Sequence, residues 1–493
     1  MPQRLAVNIW TIGCQMNEAD ARRLGDELDL VGFEPCDAAD AADLVVLYSC
    51  VVRQAAENKV HNQLMRLRDV KRQRPALKIA LAGCMAGEET AALQQTYPFV
   101  DLFISPKADI SLRNQLLDLL DLDERYRHEP DGAQRTPGVS AGVTIHQGCN
   151  RRCTYCIIPF RRGGERSRQP AEIRAEVAGL VARGTREVVL LSQIVERYGW
   201  DLEPRRSLAE LLTLLNDVPG LERIRFLTSY PNDFGPDLIE AVATLPHVCE
   251  DINLPIQAGD DTVLRRMARG YKVADYVRVV DALRARMPEI GISTDIIVGF
   301  PGETAEQFEN TLRTMERVRW DVVHVAMFSP REGTVAATWP DDVPRAEKKR
   351  RLHAVEELQA RIAAEINARL VGRTLEVLVE GQAKGRWYGR TRTNKLAFFD
   401  HPEPLAGALV AVRIGQASAW ALQGELVAVT QQPPAVALPP TLSQGERETA
   451  DGTPTPSVSP GAGEHSEAPS PPGRGRGVRA PSDGVIPLRL AAS

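Results

Sequence analysis

The chain has 493 residues, of which 43% are hydrophobic and 25% are charged, and its formal net charge is −5. This length predicts about three domains, and the composition is typical of a globular protein. The negative balance excludes a chain that is basic throughout, so any nucleic-acid surface must be local. The sequence has no run of about 20 apolar residues and no long apolar segment near its start. We therefore expect a cytoplasmic protein with no membrane contact.

The first 125 residues alternate short apolar runs with helical patterns. Continuous apolar runs are typical of strands that are buried in a parallel sheet. Residues 1–125 are therefore predicted to form an α/β domain with a parallel sheet. The predicted elements are the strands Leu5–Trp10, Leu44–Tyr48, Lys78–Ala82 and Val100–Ile104 and the helix Asn17–Leu30.

Residues 135–365 repeat this alternation over a longer stretch, which ends in a long charged helix predicted over Arg345–Val371. Six βα units are too few for a closed eight-stranded barrel. We therefore expect a partial (β/α)6 barrel or a long open sheet. The six strands are predicted at 143–146, 187–191, 223–228, 251–255, 291–298 and 321–328.

The pattern changes again in the last third of the chain. Residues 368–430 contain five short apolar runs separated by turn residues, which predicts a small β-barrel. The tail, residues 431–493, holds 12 of the 34 prolines and no aromatic residue. Such a segment cannot bury enough apolar surface to offset its ordering entropy, so it is predicted to be disordered.

Three of the eight cysteines, Cys149, Cys153 and Cys156, lie close together in a C-x3-C-x2-C motif. Eight cysteines are too few for a disulfide framework in a chain of this length. A structural zinc site needs four ligands, and no fourth Cys or His follows at the usual spacing. Three thiolates on one loop suit a [4Fe–4S] cluster whose fourth iron is open to a chelating ligand. A zinc site completed by a distant residue is the alternative.

Cys14, Cys50 and Cys84 each follow a predicted strand of the first domain. The carboxyl ends of parallel strands meet at one edge of a sheet, where ligands bind. We therefore expect these cysteines to converge on a second three-thiol site. The alternative is three unrelated buried thiols, since free cysteine is often buried.

The motifs around both cysteine sets point to a known family. The C-x3-C-x2-C motif, with Tyr155 before its last cysteine, resembles the signature of radical S-adenosylmethionine (SAM) enzymes. TIGCQMNEAD, YSCVVRQAAENKV and AGCMAG resemble the N-terminal motifs of the methylthiotransferases within that family. Further matches are RRGGERSRQPAEI, IVGFPGET and FSPREGT, and the C-terminal segment resembles a TRAM domain. The chain departs from the usual motifs at Tyr48-Ser49, at 192–195 and at 253–259.

The resemblance implies a radical SAM enzyme that replaces an aromatic C–H by C–SCH3. Cys149, Cys153 and Cys156 would hold the [4Fe–4S] cluster that cleaves SAM. Cys14, Cys50 and Cys84 would hold a second [4Fe–4S] cluster that carries sulfur and methyl to the substrate. The implied target is carbon 2 of N6-isopentenyladenosine beside the anticodon of tRNA, with an unidentified reducing electron donor and a monomeric enzyme. The residues implied to surround SAM are Tyr155, Ser192, Gln193, Asp295, Gly299, Gly302 and Glu303.

Two basic patches are predicted to contact RNA, because basic residues beside aromatic ones suit phosphate contact and base stacking. The alternative for each patch is a solvated charged face. The first patch holds Lys384, Arg386, Trp387, Arg390, Arg392 and Lys395, and the second holds Arg161, Arg162, Arg166 and Arg168.

Two other functions remain open from the sequence. One is a methylthiotransferase for a different substrate, either threonylcarbamoyladenosine in tRNA or a ribosomal-protein side chain. The other is an iron–sulfur RNA-binding protein without catalysis.

Overall fold

The computed structural model describes residues 5–30, 32–51, 54–87, 90–107, 112–121 and 137–434. The segment between the first two predicted domains, and the predicted disordered tail from residue 435 onward, lie outside these residues. Within the described ranges, no helix is long and apolar enough to cross a membrane. The predicted fold class is confirmed: an α/β unit with a parallel sheet, a partial barrel and a small β-barrel follow one another.

The N-terminal unit is a five-stranded parallel sheet with strand order β2-β1-β3-β4-β5. The central strand β3 is buried along its whole length, which explains its uninterrupted apolar run. Its strands are β1 (Ala6–Thr11), β2 (Glu34–Pro35), β3 (Leu44–Ser49), β4 (Lys78–Gly83) and β5 (Leu102–Ile104). Its helices are α1 (Gln15–Leu30), α2 (Gln54–Gln73), α3 (Thr90–Thr96) and α4 (Leu112–Leu119).

The central unit begins with β6 (Ser140–Thr144) and a short antiparallel ribbon, β7 (His146–Gln147) with β8 (Arg166–Ser167). The remaining strands are β9 (Glu187–Leu191), β10 (Arg223–Leu227), β11 (Asp251–Asn253), β12 (Gly291–Val298) and β13 (Val322–Met327). The helices are α5 (Ile158–Arg162), α6 (Pro170–Ala182), α7 (Leu208–Asn216), α8 (Pro236–Thr244), α9 (Asp261–Arg266), α10 (Val273–Arg286), α11 (Ala305–Val318) and α12 (Arg345–Ala368).

These strands form two three-stranded parallel sheets, β6-β9-β10 and β11-β12-β13. A parallel bridge between Ile224 and Val248 joins the two sheets at the seam between β10 and β11. The result is the predicted six-stranded partial barrel, with β6 and β13 at its two edges. Helix α1 of the N-terminal unit packs along β6: the Arg22 guanidinium donates to the Gly142 carbonyl (3.1 Å) and to Glu176 (2.7 Å).

The C-terminal unit is a closed five-stranded barrel, as predicted, with strand order β14-β15-β16-β18-β17. Its strands are β14 (Thr374–Ala383), β15 (Arg386–Thr391), β16 (Leu396–Phe399), β17 (Leu409–Ala417) and β18 (Leu422–Gln431).

The turn between β15 and β16 lies against the amino ends of the central strands. The buried Arg225 donates to the carbonyl oxygens of Thr391 (2.7 Å) and Arg392 (2.8 Å). Arg223 donates to the carbonyl oxygen of Arg390 (2.6 Å). A Cβ added at Gly291, the first residue of β12, would lie 2.8 Å from the Thr393 carbonyl oxygen. The C-terminal barrel therefore packs closely against the amino ends of the strands of the partial barrel.

We predict that Gly291→Ala weakens this interface. The added methyl group must displace backbone, and overpacking of this kind costs about 1–3 kcal/mol. Gly179→Ala in α6 is the matched control, because the nearest atom to its Cβ is the flexible end of Arg183 at 3.9 Å. Replacing a helical glycine there stabilises by about 0.5–1 kcal/mol. Urea unfolding midpoints of both variants test the prediction, and a G291A midpoint equal to or above that of the unaltered protein would contradict it.

Candidate active site

The C-x3-C-x2-C loop follows β7 and is held by its own backbone. Gly148 has a φ of +78°, and a Cβ there would overlap the carbonyl oxygen of Gly164. The position therefore requires glycine. The Cys149 amide donates to the Gly163 carbonyl (3.0 Å), and the Cys156 amide donates to the Cys153 carbonyl (3.1 Å). These bonds fix the backbone on which the three thiols are carried.

The three thiols lie in a largely buried setting and influence each other electrostatically. Burial raises the pKa of Cys149 and raises the pKa of Cys156 to about 12. The loop therefore favours thiolates only with positive charge beside them. The buried Arg269 supplies one such charge: its guanidinium lies 3.5 Å from the Cys153 sulfur and 3.4 Å from the Tyr155 hydroxyl. Sequence reasoning missed Arg269, because nothing in its local motif indicates that it reaches a loop more than 100 residues away.

Four of the residues predicted to surround SAM lie in or near the apolar cluster that packs around this loop: Tyr155, Ser192, Gln193 and Asp295. Tyr155 and Cys149 belong to the same cluster, and Ile297 of β12 packs against it. Because side chains alternate along a strand, Asp295 lies on the same face of β12 as Ile297. The Ser192 hydroxyl contacts the His146 ring (2.7 Å) beside the loop. Gln193 contacts the sulfur of Met16, and its side-chain oxygen is buried with no hydrogen-bond partner.

Gly299, Gly302 and Glu303 instead have structural partners in the turn after β12. The buried Glu303 carboxylate accepts from the Gly299 amide (2.6 Å) and pairs with Arg351 of α12 (2.8 Å). A Cβ at Gly302 would run into the Arg266 guanidinium. The turn thus ties β12 to its surrounding helices, and these contacts explain the motif without SAM.

Cys14, Cys50 and Cys84 come together beyond the carboxyl ends of β1, β3 and β4. A Cβ at Gly13 would lie 2.6 Å from the Cys50 Cβ and 3.3 Å from its sulfur. The Cys84 amide donates to the Ser49 carbonyl (3.0 Å). The Cys84 thiol is also close enough to Cys14 to raise the pKa of Cys14, which burial raises further. The three cysteines are therefore neighbours at this edge of the sheet, and their joint role as cluster ligands stays a prediction.

Ser49 stands at one of the departures from the family motif, yet its hydroxyl has a clear role. It donates to the Ala82 carbonyl (2.6 Å) and accepts from the Met85 amide (3.1 Å). Both bonds fix the loop that carries Cys84. Although Ser49 departs from the family motif, its hydroxyl makes the hydrogen bonds that hold the Cys84 loop in place.

The segment that follows the C-x3-C-x2-C loop packs against the N-terminal unit next to Cys84. Ile157, which follows Cys156, packs in the same buried cluster as Cys84 and Met85. The short helix α5 then leads from this point to Arg162. Within the described residues, no three His, Cys, Asp or Glu side chains are grouped closely enough to ligate a single metal ion. A [4Fe–4S] cluster does not require its thiolates to meet at a single metal ion, because each thiolate binds a different iron.

The structure corrects the second predicted RNA patch. Arg162 is only 2% exposed, and its guanidinium donates to Asn17 (2.8 Å) and lies within reach of the Cys84 thiol. Arg161 is half-buried against Gly87. Arg162 therefore presents no charge to RNA. Arg168 pairs with Glu176 (2.7 Å), whereas Arg166 of the same patch is exposed.

The first predicted patch is also divided by the fold. Trp387 is in the core of the small barrel, where its indole donates to the His401 carbonyl (3.0 Å), so it is not a stacking platform. Arg392 pairs with Glu250 (2.8 Å) and Lys395 pairs with Asp321, both in the central unit. Arg390 pairs with Glu380 (3.3 Å). These charges stabilise the domain interface, whereas Lys384 and Arg386 remain at the accessible β14–β15 turn.

A buried carboxyl group, Glu196, lies just beyond the Ser192–Gln193 segment and was also missed. It accepts from the Tyr230 amide (3.1 Å), while its other oxygen has no hydrogen-bond partner. Burial raises the pKa of Glu196 to about 8. The Tyr230 ring in turn stacks on Arg151 of the cysteine loop (4.3 Å). Glu196 therefore couples the packing of this loop to pH.

The comparisons with known proteins agree with this geometry. The Radical SAM superfamily matches residues 143–315, the uncharacterized protein family UPF0004 matches 6–105, and the TRAM domain matches 368–427. A tRNA-2-methylthio-N(6)-dimethylallyladenosine synthase of Dehalococcoides mccartyi is 48% identical over 86% of this chain and 99% of its own length. The synthase of the same name from Herpetosiphon aurantiacus is 45% identical over 86% of this chain and 97% of its own. Among solved structures, the radical SAM methyltransferase TsrM of Kitasatospora setae covers 68% of this chain and 74% of its own, with 14% identity and a TM-score of 0.49.

We predict that Glu196 makes stability fall as pH rises. An unfolded Glu has a pKa of about 4.3, so between pH 5 and 8 the folded state holds a proton that the unfolded state has released. The free energy of unfolding should therefore decline by a few kcal/mol over this range and level off above it. In Glu196→Gln this part of the decline should vanish. The exposed Glu309→Gln serves as control, and an E196Q pH profile parallel to that of the unaltered protein would refute the assignment.

Proposed function

The chain belongs to the family of tRNA-2-methylthio-N(6)-dimethylallyladenosine synthases, and we propose from this premise which of its residues carry the reaction. It is a radical SAM tRNA methylthiotransferase, with SAM and a [4Fe–4S] cluster as cofactors. We propose that its target is carbon 2 of N6-isopentenyladenosine beside the anticodon. The relatives' shared name, at 45–48% identity over most of the chain, supports this substrate over a ribosomal-protein side chain.

The cysteines of the central unit, Cys149, Cys153 and Cys156, hold the SAM-cleaving cluster in this proposal. The cluster and SAM supply the radical that breaks the unactivated C–H bond. The donor set fits: three thiols on one loop leave one iron for SAM, and Arg269 offsets their charge. Tyr155, Ser192, Gln193 and Asp295 remain as residues around SAM.

Cys14, Cys50 and Cys84 hold a second [4Fe–4S] cluster in this proposal, and this cluster delivers sulfur and methyl. The observation that carries the proposal is that Cys84 shares a buried apolar cluster with Ile157, the residue next to Cys156. A substrate base held between the two sets would meet the radical on one side and the sulfur donor on the other. A cytoplasmic setting, a monomeric enzyme and an external electron donor complete the proposal.

We propose that the C-terminal barrel contacts tRNA through the β14–β15 turn. Lys384 is exposed there, and Arg386 is partly exposed beside Asp400 (3.1 Å). This turn lies away from the Thr391–Lys395 turn that meets the central unit. The remaining basic residues of the predicted patch are not part of this RNA surface.

Changing Cys149, Cys153 and Cys156 together to Ala should leave roughly half of the iron of reconstituted protein. The reason is that the second set lies in another unit and keeps its own ligands. Iron and sulfide analysis of the folded variant measures this. Full retention of iron, or complete loss from a folded sample, would rule out two separate clusters.

Neutralising Lys384 and Arg386 together to Gln should weaken tRNA binding mainly at low salt. Removing a single phosphate interaction should lower the salt slope of log K by about 0.7–0.9. Arg413→Gln is the matched control, because Arg413 pairs in register with Thr374 at the opposite end of β14. Affinities over a salt series decide the point. Equal slopes for the double variant and the unaltered protein would mean that this turn does not bind phosphate.

A further inference from the structure

Arg162 reaches the N-terminal cysteines from the other unit. It ends helix α5, which begins two residues after Cys156. Its Nη2 donates to the Asn17 side-chain oxygen (2.8 Å), and Asn17 in turn donates to the carbonyl oxygens of Ile12 and Ser49 (3.0 Å each). Asn17 therefore anchors the guanidinium beside the loops that carry the cysteines.

The protein alone leaves the Arg162 charge poorly compensated. The residue is 2% exposed, and among the described residues the carboxylate that pairs with it is Asp20, at 3.6 Å. Its Nη1 is buried with no hydrogen-bond partner. A buried charge is costly unless it is paired and hydrogen-bonded. Cys84 and Cys14 also interact with the Arg162 guanidinium. Negative charge on their sulfurs would therefore balance its positive charge.

A second arginine of the central unit approaches from the side of Cys50. Arg331 lies in the loop after β13, is 8% exposed, and pairs with Glu57 of α2 (3.1 Å). The Cys50 thiol also acts on it electrostatically. Two buried guanidiniums of the central unit thus act on cysteines of the N-terminal set.

We propose that Arg162 and Arg331 are positioning residues that stabilise the N-terminal cluster and set its redox potential across the domain junction. This inference rests on the proposed function, since it requires the second cluster. Positive charge and N–H donors near cluster sulfurs favour the more reduced, more negative state and so raise the potential. The N-terminal cluster then has its working potential only while the two units are docked.

The test uses full-length protein in which Cys149, Cys153 and Cys156 are Ala, so that only the N-terminal cluster is observed. Arg162→Gln and Arg162→Lys are added singly, with Arg168→Gln as control. Arg168 lies in the same segment and pairs with Glu176 (2.7 Å). Redox titration followed by electron paramagnetic resonance measures the midpoint potential, and iron analysis measures occupancy.

We expect Arg162→Gln to move the potential to a more negative value or to lower iron occupancy. Arg162→Lys should keep most of both, and Arg168→Gln should match the parent. Parent potential and occupancy in Arg162→Gln would overturn the inference. If that variant does not fold, Arg331→Gln decides in the same way. If the parent variant, in which Cys149, Cys153 and Cys156 are Ala, holds no iron, the proposed second cluster is wrong, and the inference that rests on it is overturned as well.

Discussion

The positions of both cysteine sets depend on where the parallel strands of the two sheets end. Each of the six cysteines proposed as ligands lies on a loop beyond the carboxyl end of a strand, three in the N-terminal sheet and three beside β6 and its ribbon. Helix α1 packs along β6, and Ile157 beside Cys156 packs with Cys84, so the two edges meet at the junction of the units. Loops at such edges are free to vary, while the sheets behind them are rigid. The geometry that radical transfer needs is therefore set by the packing of two sheets.

Buried arginines lie at both ends of the partial barrel, and Arg162, Arg223 and Arg225 among them join two units. Arg269 and Arg162 serve the cysteine edge, where they lie beside sulfur ligands. Arg225 and Arg223 serve the opposite edge, where they bind backbone carbonyls of the small barrel. A guanidinium offers five donors in a fixed fork, so it can satisfy several acceptors of another unit at once. Domain docking and site electrostatics thus use the same type of side chain.

Much of the fold could be predicted from the periodicity of apolar residues, whereas the side-chain contacts between units could not. The apolar runs gave the bounds of β9 and β12 to the residue, and they placed the cysteines at strand ends. The basic patches were assigned from local charge, and there the prediction failed for Arg392, which meets Glu250 in another unit. Local sequence reports which residues are charged, but tertiary docking decides what those charges meet. Arg269 was missed because its partner Cys153 lies more than 100 residues away within the same unit.

The central claim is that the two cysteine sets have separate roles, and Cys50→Ala tests it most directly. Cys50 lies in the N-terminal unit, away from the loop of Cys149, Cys153 and Cys156. The variant, loaded with iron and sulfide and reduced, is incubated with SAM and isopentenylated tRNA. The account predicts that it still forms 5′-deoxyadenosine but no methylthio nucleoside by mass spectrometry. Loss of 5′-deoxyadenosine from a folded, cluster-loaded sample, or formation of the methylthio product, would contradict it.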